Sequence, residues 1–557
     1  MEESQEARGR GAAGLSREPP PGEFASRRAL WLYWAVVAFL FGAGAFERFT
    51  LPATPFSDPD TWGYLYPALS GLTRGVFVHT YGRTFVYPLF VYGILGGFHD
   101  FVYVSAFQHL LGLLSGVLLL ASWRGLSPLL PDCALVRSWH RYLGLLALAV
   151  FLLSKTSLLM EHSIRPEAVF PFFAILCLWL ALRTWRAFQK GGNPKSAFFW
   201  GIALVYDSIL LYFIKPSWGF GVFFSMAPLL VSLFQLKGRP GYKVLVLLVP
   251  ALLAYVTLFV PERRLVREYD PGSDRFLPSL LLSVHADIIR DEMARDLGSV
   301  PADERALLGK LIPLIDAEIK ANASNNSKLA INPDVFLYHK DSVCALVGQF
   351  FGKDIEGYRD FCFSYYKKAW LHQPGRMLRK VLRQLHAFYS WENQGYDASI
   401  HAVISTKETA VRTENALNNL PVALPAYDNY RNVSLNLEQT RGGWRQPMPI
   451  SLLNMLLYVC YPLVVLGSLL VCGAVLWKPA SWSGLVPLAL WTLYFHSYNF
   501  GNCLTIAVVH NMQVGRYVKN QLIFTVFSEC CGVLLIVAAV RALISGPDVS
   551  RSTRPVD

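Results

Sequence analysis

Apolar residues in this chain fall in runs of about 20, the length that crosses a bilayer. The runs are Ala29–Phe46, Phe101–Ser122, Tyr142–Met160, Ala168–Leu182, Ala197–Phe213, Gly219–Phe234, Val244–Val260, Ser451–Trp477, Trp482–Phe500 and Leu522–Val540. Each predicts a transmembrane helix, about ten in all. Tyr87–Phe98 is apolar but too short to span and reads as an interfacial or re-entrant helix. Short polar turns separate the runs, apart from one long polar stretch, 261–450. Alternate turns are basic: Arg124 to Arg141, Arg183 to Lys195, Lys237 to Lys243, Lys478 and Arg541. The positive-inside bias places these turns in the cytoplasm, with both termini. Asp60, the turn 161–167, Lys215, the stretch 261–450 and Arg516 then share the outer side.

Composition agrees. The chain has 557 residues, 53% hydrophobic and only 16% charged, where a soluble domain carries about a quarter charged. The net charge of +12 could point to nucleic acid. However, residues 261–450 hold 24 basic and 23 acidic residues, so the excess sits in tails and short loops and no nucleic-acid partner is expected. Of the nine cysteines, Cys177, Cys460, Cys472, Cys530 and Cys531 lie in apolar runs. Cys344 and Cys362 lie in the polar stretch, where an oxidising compartment would permit a disulfide. Neither a phosphate-binding GxxxxGK[ST] loop nor a Rossmann fingerprint is present, which disfavours a nucleotide-driven pump.

The fold expected is an all-α polytopic membrane protein with a large, mainly helical extracytoplasmic insertion. Its parts are a disordered cytoplasmic tail (1–28), a membrane core of seven helices (29–260) with a first external loop (47–100), the insertion (261–450), C-terminal membrane helices (451–541) and a short tail (542–557). No A-x-A-like cleavage site follows the first run, so it is read as a membrane helix rather than a signal peptide. Within the insertion, Leu277–Leu297, Asp303–Ala323 and Tyr358–Trp391 are predicted helical. In the last, Leu378, Val381, Leu382, Leu385, Phe388 and Tyr389 form a stripe expected to pack on the membrane part. Gly395–Gln446 reads as irregular, and Asn322, Asn325 and Asn432 begin sequons.

The candidate chemistry centres on Ser57–Phe98, where the chain first leaves the membrane. Asp58 and Asp60 lie one residue apart, followed by Tyr64, Gly82-Arg83 and Tyr87-Pro88-Leu89-Phe90. Carboxylates beside a bilayer are costly unless solvated, paired or used. This ordered set resembles the first external loop of the GT-C superfamily, polytopic glycosyltransferases that take sugars from polyprenyl-phosphate carriers, including the protein mannosyltransferase and aminoarabinose transferase group. The run Arg165-Pro166-Glu167 resembles that superfamily's fourth-span start. Lys215-Pro216 resembles its basic-Pro pair, and Arg516-Tyr517 resembles the pair near its last external loop.

The resemblance implies Asp60 as general base, with Asp58 positioning the acceptor or holding a metal. It implies Arg516, Tyr517 and Lys215 at the carrier phosphate, with Arg83, Tyr64, Arg165 and Glu167 also lining the substrate site. Glu167 could instead hold a metal, Glu161 and His162 beside it are further metal candidates, and Mg or Mn is the cation expected if one is used. The chemistry needs one acid to take the acceptor proton and several cations for the leaving phosphate, all at one membrane face.

The expected partners are therefore a polyprenyl-phosphate sugar donor, membrane lipids, and a glycan, lipid or protein acceptor. The expected location is a bacterial inner membrane, with cell-envelope chemistry on its extracytoplasmic side. A transporter or flippase of a lipid or lipid-linked sugar is the competing class, favoured by Lys155 and Asp207 within or near spans. A scaffold without turnover is a third.

Overall fold

The computed structural model describes residues 21–57, 59–189, 194–235, 240–322, 328–329, 331–396, 420, 426–433 and 446–545. Within them the chain is helical, and its extended pairing is a parallel bridge between Phe56 and Ser163. Nine helices there are long and apolar enough to cross a membrane: Arg28–Thr50, Val102–Leu129, Ala134–Leu153, Phe170–Phe188, Lys195–Ile214, Pro216–Gln235, Pro240–Tyr269, Met448–Trp477 and Leu522–Ile544. The protein is a polytopic helical membrane protein.

The remaining predicted span, Trp482–Phe500, falls on Val486–Val509, a 24-residue helix that is less apolar than the nine. It buries Tyr494, His496, Tyr498, Asn499, Asn502 and Thr505. Several of these bond neighbouring helices: Tyr498 Oη donates to Ala174 O at 2.7 Å and Tyr494 Oη to Ser225 O at 3.1 Å. His496 Nε2 meets Ser468 Oγ at 2.8 Å. Polar side chains at membrane depth survive where the bundle supplies partners, which explains both the helix's polarity and its burial.

Two further departures concern the first half. The chain is already helical from Pro21, inside the predicted tail. The predicted span Tyr142–Met160 is two helices, Ala134–Leu153 and Lys155–Glu161, because Ser154 takes an extended backbone (ψ 129°) between them. The short run Val86–Phe98 is a 13-residue helix packed on Thr61–Arg74.

The insertion builds its own core. Leu282, Ile289, Met293, Leu308, Leu311, Ile315, Val347 and Tyr365 are buried together there, on helices Phe276–Val284, Ala286–Asp296, Ala302–Asn322, Val343–Phe351 and Ile355–His372. The predicted helix Leu277–Leu297 is interrupted at His285. Tyr358–Trp391 is interrupted at Gln373-Pro374, as expected where proline disfavours helical backbone before it. Cys344 and Cys362 are buried free thiols, not a disulfide. In Pro374–Tyr389, Val381, Leu385 and Phe388 join the membrane core. Leu378 and Leu382 are 52% and 54% exposed, so only part of the expected stripe packs. Most of Gly395–Gln446, all of the Asn325 sequon and part of the other two lie outside the described residues.

The insertion grips the connection after Val486–Val509. His285 Nε2 lies 2.9 Å from Val508 O, Met512 N donates to Gln384 Oε1 at 2.9 Å, and Lys328 N donates to Gln513 Oε1 at 2.9 Å. These bonds fix the segment that leads into the short helix Gly515–Lys519 and its Arg516.

Candidate anion-binding site

Asp60 immediately precedes the helix Thr61–Arg74, where an aspartate ordinarily caps exposed backbone N–H groups. Here its side chain makes no capping bond. Three guanidiniums claim it instead. Arg83 Nη2 reaches Oδ1 at 2.9 Å, Arg165 Nη2 reaches Oδ2 at 2.8 Å, and Arg516 Nη1 also contacts Oδ2. The three come from positions 83, 165 and 516, so tertiary structure assembles the cluster.

Each arginine has its own support. Arg83 follows Gly82, whose φ of +67° suits glycine, and a Cβ there would meet the Phe276 ring at 2.7 Å. The surrounding loop is tied to the extension of the seventh span: Phe85 N donates to Glu262 at 3.1 Å, Gly82 N donates to Ser273 at 3.1 Å, and His79 sits 3.3 Å from both Glu262 and Asp270. Arg83 also lies over the Tyr64 ring at 5.1 Å. Arg165 is set by the Phe56 bridge, with Phe56 N donating to His162 O at 2.8 Å and Ile164 N to Phe56 O at 3.2 Å. Arg516 stacks over Tyr517 at 5.1 Å.

A second pair adjoins the first. Lys215 Nζ donates to Glu167 Oε1 at 3.1 Å, and both are buried. Lys215 lies 5.1 Å from the centre of the Tyr517 ring, which links the two halves of the site. Arg83, Arg165, Arg516 and Lys215 thus face Asp60 and Glu167, an excess of two positive charges among these six residues, while Glu262 and Asp334 line the same cavity.

The electrostatics follow from this crowding. Burial alone would raise the Asp60 pKa, but Arg516, then Arg165 and Arg83, overcome it and hold the carboxyl far below the usual range. Burial would likewise raise Glu167, yet Lys215, Arg165 and Arg516 bring it down to about 2. Burial lowers Lys215 to about 8, against the opposing pull of Glu167. His510, next to Tyr517, is driven down to about 3 by burial and then by Arg516, so it is neutral. For His79, hydrogen bonds to Asp270 and Glu262 outweigh burial and raise the imidazole to about 9.

All these groups except His79 and Asp270 line one cavity of about 980 Å³. Its remaining wall includes Phe276 and Leu280 and, from the helix Pro333–Tyr338 and its flanks, Asn332, Asp334, Tyr338 and His339. Of the residues predicted from the sequence, the structure brings Asp60, Tyr64, Arg83, Arg165, Glu167, Lys215, Arg516 and Tyr517 together on this cavity. Asp58 lies outside the described residues.

Glu161 and His162 do not reach the cavity. Both Glu161 carboxylate oxygens are held by Arg48, at 2.7 Å each, and His109 bridges from Glu161 (3.2 Å) to His162 (3.0 Å). His162 Nε2 lies 2.9 Å from Thr54 O. Their expected role as metal ligands does not fit these engagements. Around the cavity four cations, Arg83, Arg165, Lys215 and Arg516, meet four carboxylates, Asp60, Glu167, Glu262 and Asp334, and no group of three or more His, Cys, Asp or Glu among the described residues is arranged to hold a metal.

Arg48, His510, Glu262, His79 and the insertion's Asn332, Asp334, Tyr338 and His339 were not singled out by sequence reasoning. Arg48 carried a signal: it is an arginine at the end of the first apolar run. The insertion residues carried none, because their short helix shows no usable periodicity. Asp207, which favoured a transporter, is buried beside Cys177 and Ser208 and does not line the cavity. No protein-family model matches the chain, and no curated protein or solved structure matches it.

Proposed function

We propose that the protein is a glycosyltransferase of the GT-C kind, moving a sugar from a polyprenyl-phosphate carrier to an acceptor hydroxyl. The observation that carries the reading is the convergence of Arg83, Arg165, Arg516 and Lys215 on one cavity beside a carboxylate, at the ends of apolar spans. A phosphate attached to a membrane lipid is presented at that depth. The basic turns lie at the other ends of the predicted spans, which supports an extracytoplasmic site in a bacterial inner membrane.

The chemistry asked of the site is a displacement at the anomeric carbon. The acceptor oxygen forms the new bond as its proton passes to a carboxylate, for which Asp60 is the candidate. The bond from the anomeric carbon to the carrier phosphate oxygen breaks, and its electron pair stays on that oxygen. The phosphodiester of the donor has one negative charge and the departing monoester approaches two. A cluster with two positive charges in excess therefore favours the charge that develops, which is the kind of preorganised stabilisation that lowers a barrier. Asn332, Tyr338 and His339 offer hydroxyl-binding groups on the facing wall.

The test is transfer by purified protein from radiolabelled polyprenyl-phosphate sugars, with membrane extracts as acceptor, comparing wild type with Asp60→Asn. Transfer by wild type but not by the variant is expected. Absence of transfer with every donor, with carrier binding retained in both proteins, would move the assignment to a flippase of lipid-linked sugars.

A further inference from the structure

The geometry points to Asp60 as a built-in counter-anion that occupies the phosphate seat and is displaced from its arginines when the carrier phosphate arrives. The inference rests on the glycosyltransferase reading for the identity of the ligand. It stands on the arrangement of the cluster for the exchange itself.

Three features support it. First, the stoichiometry is lopsided. Three guanidiniums offer about fifteen N–H donors, whereas one carboxylate accepts about four hydrogen bonds, and Gly82 O and Tyr517 Oη take one more each, from Arg83 and Arg516 at 3.4 Å. Arg83 Nε and Arg516 Nε are buried without a hydrogen-bond partner among the described residues. A carboxylate cannot saturate this set, and a phosphate with more oxygens and a tetrahedral spread satisfies more of it. Second, the cluster opens on a large cavity rather than being sealed by apolar side chains. Third, Asp60 does not make the capping bond to its own helix that its position invites.

The exchange has a consequence for order. While Asp60 is clamped, its oxygens are occupied by guanidinium protons and face no acceptor. Once phosphate oxygens take over the arginines, the carboxylate is released toward the cavity. An acceptor hydroxyl then meets a competent base only in the presence of donor. The donor is expected to bind first, and sugar loss to water is limited to the loaded enzyme.

The experiment is equilibrium binding of undecaprenyl phosphate, and separately of inorganic phosphate, to wild type, Asp60→Asn and Arg516→Ala in nanodiscs. Removing the resident anion should tighten undecaprenyl phosphate binding by about tenfold, or about 1.4 kcal/mol, while Arg516→Ala weakens it. Inorganic phosphate should follow the same order at lower affinity if the seat recognises the headgroup. If only the lipid form responds, the exchange stands and the polyprenyl tail is needed for it. Unchanged or weaker binding by Asp60→Asn overturns the inference.

Wild type supplies a second readout that does not depend on the variant folding. Carbodiimide-driven amine coupling at Asp60, followed by mass spectrometry, should increase when undecaprenyl phosphate is bound, and no increase also overturns the exchange. Tighter binding by Asp60→Asn without sugar transfer by wild type would keep the exchange and remove the transferase.

Discussion

Two arginine–carboxylate clusters lie close together in this chain and do opposite things. At Arg48 and Glu161, one guanidinium meets one carboxylate through two bonds of 2.7 Å, with the arginine 1% and the glutamate 2% exposed. The same arginine also donates to Gly44 O at 3.0 Å and Leu152 O at 2.7 Å, joining the first span to the third. Gly112 makes room, since a Cβ there would fall 2.2 Å from the Glu161 carboxyl. This pair is balanced in charge and sealed. At Asp60, three guanidiniums share one carboxylate that is 29% exposed and faces a cavity. A balanced, sealed pair fastens helices together, whereas the unbalanced, open cluster is the one proposed to take up an anion. Burial and stoichiometry distinguish them, because residue type does not.

The contrast can be broken most severely at Arg48. Arg48→Ala strands Glu161 in the interior, and losing one partner of a buried pair costs about 3–5 kcal/mol. We expect a large fall in thermal stability in detergent, or loss of monodisperse protein, in a melting and gel-filtration experiment. Gly112→Ala should act in the same direction, by crowding Glu161.

Arg516→Ala should leave the fold intact and reduce sugar transfer and carrier binding by about a hundredfold. That is the scale of two to three kcal/mol expected when charge-assisted hydrogen bonds to a phosphate are lost. Turnover and binding isotherms check this against the unchanged melting temperature.

A smaller effect separates the members of the cluster by pH. Lys215 is protonated below about 8 and loses its charge above it. Carrier binding should therefore weaken a few-fold as pH rises through that value, and Lys215→Arg should flatten the dependence. The smallest effect concerns the loop that carries Arg83. His79 titrates higher folded than unfolded, so its bonds to Glu262 and Asp270 stabilise fully below about 6.5 and are lost as pH rises through about 9. Wild type should lose melting temperature over that interval more steeply than His79→Gln.

The site was largely legible because its residues interrupt apolar runs at span ends, where a charge must be paired, solvated or used. Asp60, Lys215 and Arg516 stand out for that reason. Glu161 and Glu167 are equally prominent in the same turn, and the local pattern cannot separate them. What separates them is the partner each meets: Arg48, 113 residues away, for one, and Lys215 for the other. Such pairings belong to the packing of spans and leave no trace in periodicity. The fold was legible for the same physical reason in the apolar spans, and least so at Val486–Val509. There the bundle supplies hydrogen-bond partners and so tolerates polar residues that dilute the hydropathy. The insertion's contribution to the cavity was hidden because Pro333–Tyr338 is a single short helix brought to the site by the larger helices around it.

The central claim is that the open cluster is a phosphate seat. Its most direct test is an electron cryo-microscopy structure of the protein in nanodiscs with undecaprenyl phosphate. The account predicts phosphate density within hydrogen-bonding distance of Arg83, Arg165 and Arg516, with Asp60 turned away from them and Arg48 still on Glu161. Phosphate bound elsewhere, with all three arginines remaining on Asp60, would contradict it.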